Sequence, residues 1–172
     1  MGLLIAKREQ GFTLLEIVVT VAIVAILASV AVPSFAQVLA KNRTSGYTND
    51  FVAALNLARS EAVAKRVATK VCTSANAASC RASGDSDFLA WGKGWVVLDT
   101  DNNRVLAYHE AFSGQVNLTS GVSSVTFDAS GSMTSASQTD FYLRATTCIN
   151  KDDRLVRLSG SGRVSVFNAA CA

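Results

Sequence analysis

One carboxylate, Glu16, stands at the lip of an apolar run that carries no charge from Ile17 to Val32. An acid placed at the mouth of a membrane-length helix is costly, which makes it a functional-site candidate by default. Other groups that can do chemistry are sparser. Asp99-x-Asp101-x-Asn103, with Glu110 further on, mimics the spacing of a calcium loop, but Arg104 stands where such a loop needs glycine. The same residues suit a tight turn between two alternating strands, and the hairpin is the favoured reading. His109 is the single histidine, and no nucleophile or second imidazole is arranged with it. No glycine-rich phosphate loop is present. The constellation of an enzyme is missing, and neither a cofactor nor a metal is expected.

The four cysteines, Cys72, Cys80, Cys148 and Cys171, fall as a near pair and a far pair with no Cys-x-x-Cys spacing. Zinc is disfavoured by that spacing, and two disulfides are the simplest account for a domain delivered to an oxidising compartment. Three pairings are possible. Proximity favours Cys72–Cys80 and Cys148–Cys171, worth about 2.5 and about 3.5 kcal/mol by loop-closure entropy. Basic residues crowd the last third of the chain. If Arg144, Arg154 and Arg163 shared one sheet face, they could meet the phosphates of DNA with steeply salt-dependent affinity. Asp152 and Asp153 dilute that patch.

The elements that position these groups follow from periodicity. Leu14 to Val32 is nineteen residues, and at about 1.5 Å per residue it spans roughly 28 Å, the thickness of bilayer hydrocarbon. Lys7 and Arg8 precede it, so the residues alone admit a secretory signal peptide or a simple anchor with its basic end held inside. Thr13-x-x-Glu16 also reads as a helix-capping box. Pro33 predicts a bend or a local melt. Phe35, Val38 and Leu39 continue the helix, and Gly46 marks a soft point. Phe51, Leu55, Ala58, Ala62 and Val63 then recur with the spacing of a helix buried on one face, with Arg59, Glu61, Lys65 and Arg66 on the wet side. One long helix is expected from about Thr13 to about Val67.

From Thr69 the period becomes two. Strands are predicted at Thr69–Thr73, Gly94–Asp99, Val105–Glu110, Gln115–Thr119, Ser123–Asp128, Asp140–Thr146, Arg154–Ser159 and Arg163–Asn168. The segments 74–87 and 130–139 read as small-residue loops, expected to be mobile. The fold class is therefore α+β: a long N-terminal helix packed on a β-rich head of antiparallel strands in one or two sheets. The chain has 172 residues, 49 % of them hydrophobic, a net charge of +3 and a mean hydropathy of +0.28. Without its anchor it retains enough residues for one compact domain, and so mild a charge does not announce nucleic acid.

Gly11-Phe12-Thr13-Leu14-Leu15-Glu16 resembles the type IV pilin precursor signature. That resemblance implies cleavage after Gly11 by a prepilin peptidase, methylation of the new N-terminal Phe12, and an assembly role for Glu16 against the N-terminal amine of a neighbouring subunit. It also extends to Pro33, a helix kink in such proteins. Asn56-Leu57-Ala58-Arg59-Ser60-Glu61-Ala62 is similar to a stretch of the GspH/FimT/FimU group of minor pilins and pseudopilins. Gly94-Trp95-Val96-Val97, Val125-Thr126-Phe127-Asp128-x-x-Gly131 and Gly162-Arg163-Val164 look similar too.

The resemblance implies a leader at residues 1–11, a transmembrane and filament-core helix at 12–39, and a periplasmic head at 40–172. It implies a precursor spanning the inner membrane once, then a subunit that initiates or caps a type IV pilus or type II secretion pseudopilus. Its partners would be other pilin-like subunits, bundled through small residues such as Ala22, Ala25, Ala28, Ser29 and Ala31. FimT-type relatives bind DNA through Gly-Arg-x-Arg. Here Ser165 replaces the second arginine, so DNA uptake is the alternative reading.

Overall fold

The computed structural model describes residues 12–113, 116–134, 137–145 and 153–170. A single helix, α1 (Leu14–Lys65), precedes eight strands: β1 (Thr69–Thr73), β2 (Trp95–Asp99), β3 (Arg104–His109), β4 (Val116–Ser120), β5 (Ser124–Phe127), β6 (Gln138–Ala145), β7 (Asp153–Ser159) and β8 (Val164–Ala169). The chain divides into two compact units, one ending at Ala36 and one beginning at Gln37.

In the first unit α1 is exposed on every side, with a stretch of mean hydropathy 2.7 that is long and apolar enough to cross a membrane. Its few polar side chains bond within the helix: Thr20 Oγ1 donates to the Ile17 carbonyl, Ser29 Oγ to Ile26 and Ser34 Oγ to Val30. None therefore presents an unmet donor to an apolar medium. Pro33 lies inside the helix, which remains continuous past it.

The second unit holds the rest of α1 and the head. Thr44, Thr48, Phe51, Leu55, Ala58 and Ala62 are buried at alternating steps of four and three, the stripe of an amphipathic helix. Val63, expected on that stripe, lies off it and is 48 % exposed. Gly46 does not interrupt the helix. Its missing side chain faces open space, while buried Thr44 and Thr48 flank it and bond back to the carbonyls of Ala40 and Thr44. Packing on either side carries the helix across the weak residue.

The eight predicted strands all form, in two antiparallel sheets. The first has the order β3-β2-β1-β5 and the second β4-β6-β7-β8. β6 starts two residues earlier than expected, at Gln138, while Gln115 at the predicted start of β4 lies outside the described residues. Phe51 joins the layers. Its ring meets Trp91 at 5.5 Å, Trp95 at 5.2 Å and Phe141 at 4.8 Å, all edge-on, the arrangement that ring quadrupoles favour. The Trp91 indole N–H donates to the Val122 carbonyl at 2.6 Å, so the buried ring leaves no donor unmet.

The segment after β1 is tied down rather than loose. Cys72 and Cys80 are disulfide-bonded with their Cα atoms 5.5 Å apart. Asn76 Oδ1 accepts from the amides of Ala78 and Ser79, and the Arg81 amide donates to the Thr73 carbonyl. Asp85 pairs with Arg81 at 2.9 Å. The Asp87 amide, and then Arg81, hold the Asp85 carboxyl below its ordinary range. The expected Cys148–Cys171 bond falls outside the described residues.

Candidate functional site

Two places bring predicted residues together. At the start of α1, Thr13 is the N-cap. Its hydroxyl oxygen accepts from the Glu16 amide at 3.2 Å, and its carbonyl accepts from Ile17 at 3.2 Å. Glu16 thus occupies the first turn, where a negative side chain meets the positive end of the helix dipole. Phe12 precedes the cap and is 79 % exposed; Gly11 lies outside the described residues. The capping and assembly readings of Glu16 are compatible, because the cap bond engages its backbone amide and not its carboxylate.

The second place is a clamp inside the head. Arg59, read from sequence as a solvated residue, instead reaches two turns of the β-region. Its Nε donates to the Gly131 carbonyl and a terminal nitrogen to the Ser161 carbonyl, each at 3.1 Å. Gly131 follows β5 of the first sheet, and Ser161 joins β7 to β8 of the second. One guanidinium from α1 therefore ties the helix to both sheets.

Glycine makes this approach possible. Gly162 has φ +76°, and a Cβ there would lie 2.0 Å from the Gly131 carbonyl oxygen and 2.9 Å from Arg59 Nε. Gly131 has φ +79°, and a Cβ there would meet Val63 at 2.8 Å. Only a residue without a side chain fits either position. Asp128 builds the first turn, accepting from Ser130 Oγ at 2.6 Å, the Ser130 amide at 2.8 Å and the Ser132 amide at 3.1 Å. The Ser130 hydroxyl, then these amides, hold its carboxyl below the usual aspartate range. Three segments far apart in sequence, around Arg59, Gly131 and Gly162, thus converge on one joint.

The arginine patch does not form. Across an antiparallel pair, directly opposed residues share a face. Arg154 is opposite buried Leu143, whereas Arg144 is on the alternate face of β6 with exposed Tyr142. Arg144 lies 5.2 Å over the Tyr142 ring and 4.0 Å from Asp153. Arg154 bonds the Asn168 side chain. Arg163 is exposed beside the β7–β8 turn. The period of two separates Arg144 from Arg154, so the condition of one face shared by all three arginines is not met. Arg157, not singled out from sequence, makes a two-point contact with Asp140 at 2.8 and 2.9 Å. That contact lowers the Asp140 pKa and raises that of Arg157.

The calcium-like spacing resolves as the β2–β3 hairpin, with Asp99 opposite Arg104 and Asn103 at φ 49°. Asp99 is buried, and its carboxylate accepts from the Asp101 amide at 3.1 Å. Glu110 follows the opposite end of β3, roughly 20 Å away along the strand at about 3.3 Å per residue. Among the described residues no group of three or more His, Cys, Asp or Glu side chains is placed to hold a metal ion. His109 stacks on Trp95 at 4.2 Å and lies 3.6 Å from Asp50, an aromatic packing role.

The family description "Type II transport protein GspH" matches residues 47–162, more than half of the chain. The chain belongs to the GspH family. A second description, "Prokaryotic N-terminal methylation motif", matches residues 6–32. Among solved structures, the chain is similar to the type IV minor pilin FimU of Pseudomonas aeruginosa. One crystal form shows 23 % identity and a TM-score of 0.58, over 73 % of this chain and 89 % of that one. A second gives 21 % identity and a TM-score of 0.49, over 76 % and 91 %. No curated protein matches.

The long helix on two antiparallel sheets is thus the pilin fold, and the chain is a minor pilin or pseudopilin of a type IV pilus or type II secretion system. Arg59, Gly131 and Gly162 all lie inside the GspH match. Three of the stretches that resemble the family in sequence, those around Arg59, Gly131 and Gly162, meet at the clamp, whereas the stretch at Gly94 does not. Sequence reasoning found these segments by resemblance but missed their shared purpose, because no periodicity links a helix arginine to two distant glycines.

Proposed function

We propose that the chain is made as an inner-membrane precursor, cut after Gly11 by a prepilin peptidase, and methylated at Phe12. It then enters a fibre as a subunit that initiates or caps assembly. The observation that supports this most directly is the methylation motif over residues 6–32, coinciding with a helix that is apolar and exposed all round from Ile17 to Val32. Burying each such Val, Leu or Ile is worth about 1.5–3 kcal/mol. So much exposed apolar surface therefore calls for lipid first and the helices of neighbouring subunits afterwards. In that bundle the Glu16 carboxylate would meet the Phe12 amine of an adjacent subunit, in a medium that screens the pair poorly and so fixes axial register. Pro33 supplies the place where the rod can bend. The Cys72–Cys80 bond suits a head exposed in the periplasm.

The test is mass spectrometry of natively produced protein together with the recovery of sheared fibres. A chain beginning at N-methylated Phe12 is expected. Glu16→Val is expected to insert and to be processed, yet to be lost from fibres at least tenfold. An N-terminus elsewhere, or normal incorporation of Glu16→Val, would refute the proposal.

A further inference from the structure

The two sheets have four outer edges, and three of them are protected. The edge of β4 is covered by Ala90, which bridges to Thr119. The edge of β5 is covered by its own continuation: Phe127 bridges to Met133, and the Thr134 amide donates to the Thr126 carbonyl at 2.9 Å. The edge of β3 is broken by the register shift in its pairing with β2 between Val97 and Leu98. Covering an edge and disturbing its regularity are ways in which proteins prevent strand addition.

β8 has neither protection among the described residues. Its sequence, Val164-Ser165-Val166-Phe167-Asn168-Ala169, contains no charge and no proline, and its register with β7 runs unbroken from Ala169 to Val164. The direction of its backbone groups follows from two contacts. The Ser159 amide donates to Arg163 across the β7–β8 turn, so alternate residues of β7 from Ser159 back to Asp153 face β8. The Asp140 carbonyl accepts from Ser120 Oγ, which fixes the same alternation one strand earlier. Ser165, Phe167 and Ala169 therefore bond to β7, and the N–H and C=O groups of Val164, Val166 and Asn168 face outward. Beside this row Val166 is 45 % and Phe167 47 % exposed, one on each face of the sheet.

A row of outward amides and carbonyls at strand spacing is complementary to one kind of protein element, an extended strand. We propose that β8 is a docking edge to which another pilin-type subunit of the same fibre adds a strand, extending the second sheet. The added segment is uncharged opposite Val166 and Phe167, with apolar side chains on both faces. The inference rests on the reading of the chain as a fibre subunit and names where the head is held.

The test uses the full chain in cells that assemble the fibre, with a benzophenone side chain in place of Phe167. Illumination is expected to join it to another pilin-type subunit, identified by mass spectrometry. Val166→Pro removes an outward N–H and none of the β7 ladder, and Val166→Lys places a charge on the edge. Each is expected to reduce the cross-link at least tenfold, with the melting temperature of the head kept within a few degrees. Cross-linking only to lipid, only to a second copy of this chain, or to nothing would overturn the proposal. So would an undiminished cross-link in both variants. Should both variants lower the melting temperature, the identity of the wild-type cross-link decides. If the wild-type chain is recovered in fibres without the cross-link, the edge proposal fails and the fibre role stands. If the cross-link forms but fibres assemble normally without the chain, the initiating role fails instead.

Discussion

The two halves of α1 belong to one continuous helix and are stabilised by different things. From Ile17 to Val32 every side chain is exposed and none is charged. From Thr44 to Ala62 a narrow stripe is buried against two sheets and one guanidinium reaches two distant turns. The first half buries none of its described side chains, so its sequence needs only to be apolar, helical and small enough to pack. In the second half each buried position answers to a particular partner. Substitutions should therefore divide sharply: those in the head act on folding, and those in the tail act on assembly.

The largest effect on folding is expected at the clamp. Gly162→Ala puts a methyl group against the Gly131 carbonyl and forces a side chain onto a left-handed backbone. A loss of about 3 kcal/mol or more is expected, read as a lower melting temperature by near-ultraviolet circular dichroism. The far-ultraviolet helix signal of the membrane-held half should persist. Next comes the disulfide. Replacing both members of the pair, Cys72→Ser with Cys80→Ser, is expected to cost about 2.5 kcal/mol, measured by urea unfolding in detergent. Arg59→Met keeps the aliphatic stem and removes two donors to backbone carbonyls, with an expected cost of about 2 kcal/mol. If Arg59→Met left the urea midpoint unchanged, the joint between helix and sheets would lie elsewhere.

What could be read in advance follows the same division. The tail was legible because length, apolarity and a lone acid are one-dimensional signals. The eight strands were legible because their turns are punctuated by Gly, Ser, Asn and Asp. Thr44 and Thr48 were harder: they are polar residues at buried positions, satisfied by carbonyls of their own helix. Arg59 was misjudged because its spacing puts it beside the wet face, and only the fold shows two glycine turns rising to meet it. Arg144 and Arg154 were grouped by charge alone, whereas strand register decides which arginines share a face. A pairing register depends on partners from elsewhere in the chain and is not written in the strand itself.

The smallest expected effect is that of acid, and it separates the two halves cleanly. Ile17 to Val32 contains no titratable side chain. Among the described residues the head holds three aspartates whose carboxyls are depressed: Asp85 by the Asp87 amide and Arg81, Asp128 by Ser130 and its neighbouring amides, and Asp140 by Arg157. A depressed carboxyl stabilises the fold only while it is ionised. Its contribution is complete above the ordinary aspartate value of about 3.9 and disappears as the pH falls through the lower folded value. The raised Arg157 behaves oppositely, losing its contribution only at strongly alkaline pH. The urea midpoint of the head should therefore be flat from pH 7 to about pH 5 and fall toward pH 3. Asp140→Asn leaves a guanidinium facing a neutral amide. It should lower the midpoint modestly at pH 7, as expected for a partly exposed pair, and shrink the drop toward pH 3. A drop of undiminished size in Asp140→Asn would assign the acid sensitivity to Asp85 and Asp128, and so to the turns rather than to the second sheet.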